Sequence, residues 1–409
     1  MTTTRLTKIG SDSSRWIMLG LLAALPVVEG QPLVSDSLPP ALQEQQAASL
    51  TEVPSGGAIP KIGQEPSLLQ WGPVSLRPHL FYKLLYSDGV QSAPGVRSKS
   101  SIQTIAPGLL LGLGNHWTLD YTPTLTYYST QNMRDSLDHS VVLVGAGAYG
   151  DWTWKFLQSY ANTDTPQEET GGQTSQDSFE TGLSATHHFS DELSLELSLN
   201  QSLQFVEAFA DTREWSTMNW LSYQFPFRLG IAVGAGLGYV NLEPGTDEIY
   251  EQLQTRMSWR ATEKVSVVLS GGLDIRQSAW GSADSRVNPI LGATVQYQPF
   301  ENTRLSLSAQ RKLTASRFGG SSSENTSLTT ALNQRLLGKL YLSLGGGFST
   351  VKYSNLRTDD IYSFDARLST AFLKRGSVGV FYQYLDKVSN DLLYDYASHQ
   401  FGVEVGYRF

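Results

Sequence analysis

The sequence predicts an all-β chain, a transmembrane antiparallel up-and-down β-barrel of about 18 strands. Three observations point there. From Trp71 onward the chain falls into segments of roughly 10 to 15 residues with period-two alternation of apolar and polar side chains. The links between them alternate between short and long, as they do when one set of turns lies on each side of a membrane. The chain ends in mid-pattern on an aromatic, "FGVEVGYRF", with Phe401, Val403, Val405, Tyr407 and Phe409 on one side of an extended strand.

Three domains follow in order. In residues 1–30, Arg5, Lys8 and Arg15 precede an apolar core from Trp16 to Val28, which reads as a secretory signal cleaved near Gly30; a retained membrane anchor is the alternative. Residues 31–70, rich in Pro, Gln, Ser and Ala, have too little periodic apolar surface to offset ordering and read as a flexible periplasmic leader. Residues 71–409 are the barrel. Its 19 Tyr, 16 Phe, 9 Trp and 37 Gly suit β-structure, and the absence of Cys removes disulfides and thiolate sites.

Within the barrel, strands are expected to start near residues 74, 99, 116, 137, 152, 175, 192, 212, 227, 247, 264, 284, 302, 325, 339, 360, 377 and 397. "LSLELSLN" is a clear case: Leu193, Leu195, Leu197 and Leu199 oppose Ser194, Glu196, Ser198 and Asn200. Tight links fall at Gly114–Asn115, Gly150–Asp151, Ser190–Glu192, Phe225–Phe227, Ala261–Lys264, Pro299–Asn302, Leu337–Lys339 and Leu373–Gly376. Longer polar links such as "SDGVQSAPGVR" and "ANTDTPQEETGGQ" separate them. Aromatics gather beside both kinds of link, as two interfacial girdles would: Trp117, Trp152, Trp154 and Trp259 by the short ones, Tyr127, Trp215 and Tyr362 by the long ones.

The last ten residues, "QFGVEVGYRF", resemble the C-terminal signal of outer-membrane β-barrel proteins, with Gln400, Gly402, Val405, Tyr407 and Phe409 in the matching places. By architecture and texture the chain is also similar to the β-barrel porins found alongside exopolysaccharide-synthesis genes. The resemblance implies the bacterial outer membrane as location, outer-membrane lipid and the barrel assembly machinery as partners, and passage of hydrophilic solutes as function.

Catalytic chemistry has little support. His139 and Ser140 are neighbours, but adjacent residues of a strand point to opposite faces, which prevents a hydrogen-bonded pair. The Gly-rich runs "GAGAYG", "GAGLG" and "LGGGF" lack the helix and Lys-Ser/Thr of a nucleotide loop, and are expected on inner faces, where they let the wall curve. Asp359 and Asp360 are expected in a solvated loop. No catalytic residue, metal site or cofactor is implied, and a net charge of -8 argues against a nucleic-acid partner.

Charge on the polar faces is more informative. The parity set by the apolar partners puts fourteen basic and seven acidic residues inside. The basic excess gathers on consecutive strands as Arg256, Arg260, Lys264, Arg276, Arg286, Arg304 and Lys312, a candidate lumen wall that selects anions. The expected function is passive passage of hydrophilic, anionic solutes, extending to export of an acidic exopolysaccharide. A non-conducting barrel that displays surface loops is the alternative.

Overall fold

The computed structural model describes residues 69–409 apart from 115, 168–171, 208, 280–284, 317–320 and 374. The signal and nearly all of the leader lie outside the described residues. Eighteen long strands make the wall: β1 Val74–Ala93, β2 Val96–Leu113, β3 Trp117–Tyr128, β4 Ser136–Tyr149, β5 Trp152–Thr163, β6 Gln176–His188, β7 Leu193–Val206, β8 Asp211–Phe225 and β9 Leu229–Glu243 form the first half. The second half is β10 Glu248–Trp259, β11 Val265–Ser278, β12 Arg286–Phe300, β13 Thr303–Ser316, β14 Ser321–Leu336, β15 Leu340–Lys352, β16 Thr358–Phe372, β17 Gly376–Ser389 and β18 Tyr396–Arg408. Each pairs antiparallel with its sequence neighbours, and β18 pairs with β1 from His79↔Arg408 to Ser87↔Gln400. The sheet is a closed antiparallel barrel, in which every long strand has a partner on both sides.

Every strand start read from the alternation lies within four residues of the observed one, the widest gap being at β14, expected near 325 and observed at Ser321. One expected link is strand instead. "SDGVQSAPGVR" is mostly the upper part of β1, which runs to Ala93 before turning at Pro94 and Gly95. Register shifts between Ser87 and Val90, and again between Gln91 and Ala93, absorb the residues that break the alternation.

Side chains sort as a lipid-immersed wall requires. Leu199, Leu237, Leu253, Val287, Leu291 and Phe401 are each more than half exposed on the outside, where a water-soluble sheet would need a covering layer. Their strand neighbours on the inner face are Ser, Asn, Gln, Gly and Arg, with Ile290 the one apolar exception. Among the aromatics near the short turns, Trp117 packs at 5.7 Å from Trp154 and 5.8 Å from Phe156. Gly145 and Gly147 seat these indoles: a Cβ on either would lie 2.4 Å from Trp117 or Trp154. Gly145 and Gly147 of "GAGAYG" therefore sit on the outer face under aromatic rings, whereas Gly234 and Gly238 of "GAGLG" lie on the inner face under Trp220 and Tyr250.

Candidate functional site

The candidate site is the barrel's interior and its long-loop end. Inner-facing side chains are packed along one sector and accessible along another. On β1, β2 and β16–β18, Phe81, Lys83, Thr104, Ser369, Phe381 and Glu404 are buried. The Lys83 ammonium stands 4.5 Å from the centre of the Phe381 ring, and Arg367 pairs with Glu404 at 3.3 Å. Charges this dry persist only with partners, so this sector is a built, rigid lining. On β13 and β14, Arg304, Gln310 and Thr329 point inward and are exposed, which marks accessible lumen.

The seven basic residues expected to line that lumen divide by level and by partner. Arg260 and Lys264 lie at the short turn after β10, where Lys264 Nζ donates to Pro299 O at 2.8 Å. Arg304 stands near the same end, on β13, and has no ion-pair partner among the described residues. Arg256, midway, is 3.8 Å from Glu196 and lies 4.5 Å over the Trp220 ring. At the long-loop end, Arg276 pairs with Asp274 at 2.9 Å and Glu248 at 3.3 Å and covers Tyr250. Arg286 faces inward opposite Arg276, also without an ion pair among the described residues.

Lys312 belongs to a different feature. The β12–β13 ladder ends at Leu291↔Arg311, and beyond it β13 pairs only with β14, through Ser316↔Ser321. The β14 side stays joined to β15 as far as Glu324↔Lys352, and beyond that pair the two strand ends form a free ribbon. Ala315 on this ribbon packs against the buried inner-face cluster of Val240, Leu242 and Tyr250, which belongs to β9 and β10. Opposite Ala315 in the ladder, Ser322 accepts from Arg276 Nη1 at 2.6 Å and donates to Glu248. The face involved is the one that lower down carries Leu307 and Leu328, both about half exposed on the barrel's outside. The ribbon has thus leaned inward, laying its outer face against the inner wall of β9–β11 and narrowing the mouth.

A second inward element comes from the link between β5 and β6. Its two-residue ladder, Pro166–Gln167 with Gly172–Gln173, reaches the end of β1, where a Cβ on Gly172 would lie 3.0 Å from Ser92 O. Gln173 ties it to the β3–β4 link, accepting from Arg134 N at 2.9 Å and donating to Arg134 O at 2.8 Å. Both elements crowd the same end of the barrel.

Other candidate groups are structural. Asp359 is buried within β16, bonded to Arg357 Nε at 2.9 Å and to Lys387 at 3.0 Å, with Arg357 stacked 3.7 Å over Tyr394. The expectation of a solvated loop fails there, because the partner cations lie two residues and a neighbouring strand away. His139 faces outward and hydrogen-bonds Tyr121 at 3.1 Å, and Ser140 is on the opposite face. Of the C-terminal set, Gln400 and Gly402 face inward while Val405, Tyr407 and Phe409 face outward, Tyr407 and Phe409 in edge contact at 4.8 Å. Glu248, Asn288 and Ser322 were missed by the sequence reading, since their importance depends on the inward lean of the ribbon.

Residues 259–409 match the family model described as "Putative beta-barrel porin 2". Over that stretch the barrel resembles a β-barrel porin. No curated protein matches it in sequence. Among solved structures, the porin-like barrel is similar to OpdK from Pseudomonas aeruginosa, solved with vanillate, at a TM-score of 0.46 and 11% identity over 82% of this chain and 99% of that one. OccAB4 from Acinetobacter baumannii is similar at a TM-score of 0.43 and 12% identity, covering 85% and 99%. PirA, a siderophore receptor from Pseudomonas aeruginosa, gives 0.42 and 10% over 82% and 80%.

Proposed function

We propose that this barrel sits in the bacterial outer membrane and lets hydrophilic, anionic solutes pass by diffusion. The observation that supports it most is the contrast within the interior: one sector packed, the other lined by accessible Arg304, Gln310 and Thr329. A polar lumen bounded by low-dielectric walls concentrates the field of its uncompensated charges, here Arg286 and Arg304, on passing ions. Export of an acidic exopolysaccharide is the extended form of the same reading, with the polymer's carboxylates moving along those cations. Single-channel recording in a planar bilayer tests it: stable conductance steps with a chloride-signed reversal potential in a KCl gradient are expected. The two inward elements at the mouth favour a second reading, a closed barrel that displays its loops, and that version predicts no steps at all.

A further inference from the structure

Where the ribbon parts from β12 it leaves a seam. Residues 286–290 of β12 pair with β11 on one side only, and a cavity of about 220 Å³ lies between this strand end and the ribbon. Its wall side presents Glu248, Arg276, Arg286 and Asn288, and its ribbon side Leu313, Ser322 and Glu324, with Lys352 at the end of β15.

The polar groups fall into two sets. Some are already engaged: Arg276 by Asp274, Glu248 and Ser322, and Glu324 by Arg311 at 2.8 Å. Others are not. Arg286 and Lys352 have no ion-pair partner among the described residues, and the buried Asn288 Nδ2 has no acceptor. An amide donor without a partner in a dry place is a cost that a ligand acceptor removes.

We propose that this seam binds a sugar acid, one carboxylate on a polyhydroxylated ring. The carboxylate answers Arg286 and Lys352, with Asn288 Nδ2 donating to one of its oxygens or to a ring oxygen. Hydroxyl groups donate to the spare lone pairs of Glu248 and Glu324, and Leu313 offers an apolar surface to the ring's C–H face. Other anions fit worse. A multiply charged ion such as phosphate meets the two carboxylates of the lining, and a neutral sugar leaves both cations uncompensated. The volume falls below the roughly 300–1,000 Å³ of sites for drug-sized ligands, which suits one ring rather than a chain of them. The inference deepens the proposed passage of anionic solutes and rests on it for the route by which ligand arrives.

The test is calorimetric titration of the refolded full chain in detergent with D-glucuronate, glucose and acetate. Saturable millimolar binding of glucuronate is expected, with glucose and acetate at least tenfold weaker. Arg286→Gln and Lys352→Gln should each weaken glucuronate at least tenfold while the barrel keeps its heat-modifiable migration on gels. Equal binding of glucose and glucuronate, no saturable heat, or unchanged affinity in both folded variants would overturn the site. A barrel that conducts but does not bind glucuronate sinks the site and leaves the channel. One that binds and does not conduct sinks the channel and keeps the site.

Discussion

Arg276 on β11 donates a 2.6 Å hydrogen bond to Ser322 on β14, although β12 and β13 stand between their strands in the ladder. The contact exists because β13 parts from β12 after Arg311 and the ribbon end leans back across its own neighbours. It fixes the ribbon to the inner wall at the buried Asp274 and Tyr250 and the half-buried Glu248. Ser322→Ala should loosen the ribbon with little other damage, giving larger and noisier single-channel steps. Arg276→Ala should go further, because it strands Asp274 and Glu248 in a dry site, a loss of about 3–5 kcal/mol in comparable buried pairs. Its thermal unfolding midpoint should drop visibly, whereas that of Ser322→Ala should move little. Steps of unchanged size in Ser322→Ala would mean the ribbon does not limit the current.

Selectivity should depend on which cations are compensated. Arg304 has no ion-pair partner among the described residues, while Arg256 is close to Glu196 and under the shadow of Trp220. In a KCl gradient at about 0.1 M, where the Debye length is roughly 10 Å, Arg304→Glu should therefore move the reversal potential toward potassium more than Arg256→Glu. The combined change of Arg256, Arg276 and Arg304 to Glu should move it furthest, and all shifts should shrink toward 1 M salt. An unmodified pore that prefers potassium would remove the anionic part of the proposed function.

The alternation of link lengths predicts sidedness. A protease site placed in the "TPQEETGGQ" link should be cut in intact cells, and one placed at Gly114–Asn115 should be cut only after the outer membrane is opened. Cleavage at the short turn from outside would invert the orientation.

The end of the chain should matter twice over. Deleting Phe409 or changing Tyr407→Asp removes outward apolar anchors and should leave protease-sensitive periplasmic protein in place of folded barrel. Gly402 has a separate, geometric reason to be glycine, since a Cβ there would lie 2.3 Å from Leu84 O and 2.8 Å from the Phe381 ring. Gly402→Val should consequently destabilise even a barrel refolded without any assembly machinery, by about 1–3 kcal/mol of overpacking, read as a lower urea midpoint.

Much of the wall was legible because a membrane barrel writes its two solvents into alternate residues. Leu193 to Asn200 has a single reading. Legibility ended where one periodicity served two purposes. Ala315 and Ser322 continue the same outer parity as Leu307 and Leu328, yet they touch protein instead of lipid, and no local pattern announces where a hairpin leaves the sheet. The upper half of β1 was hidden for another reason: its bulges shift the parity, and Ser87, Asp88 and Gly89 look like turn residues. Ion pairs were invisible too. Glu196 and Arg256 share an inner face on strands separated by β8 and β9, a proximity that only curvature supplies.

The closure of β18 on β1 has a temporal side. Lys83 stands opposite Glu404 in the ladder, two residues roughly 320 positions apart in the chain, and both are buried. Such a pairing carries about the greatest loop-closure entropy the chain can offer, so the rest of the wall has every reason to assemble before it. The joint also proofreads itself. A slip of one residue exchanges inside for outside along all of β18, turning Glu404 and Gln400 toward lipid and Phe401 and Val403 toward the packed lining. Only the correct alignment returns a carboxylate to Arg367 and the neighbouring ammonium, so the last bonds to form are also the ones that reject a misaligned cylinder.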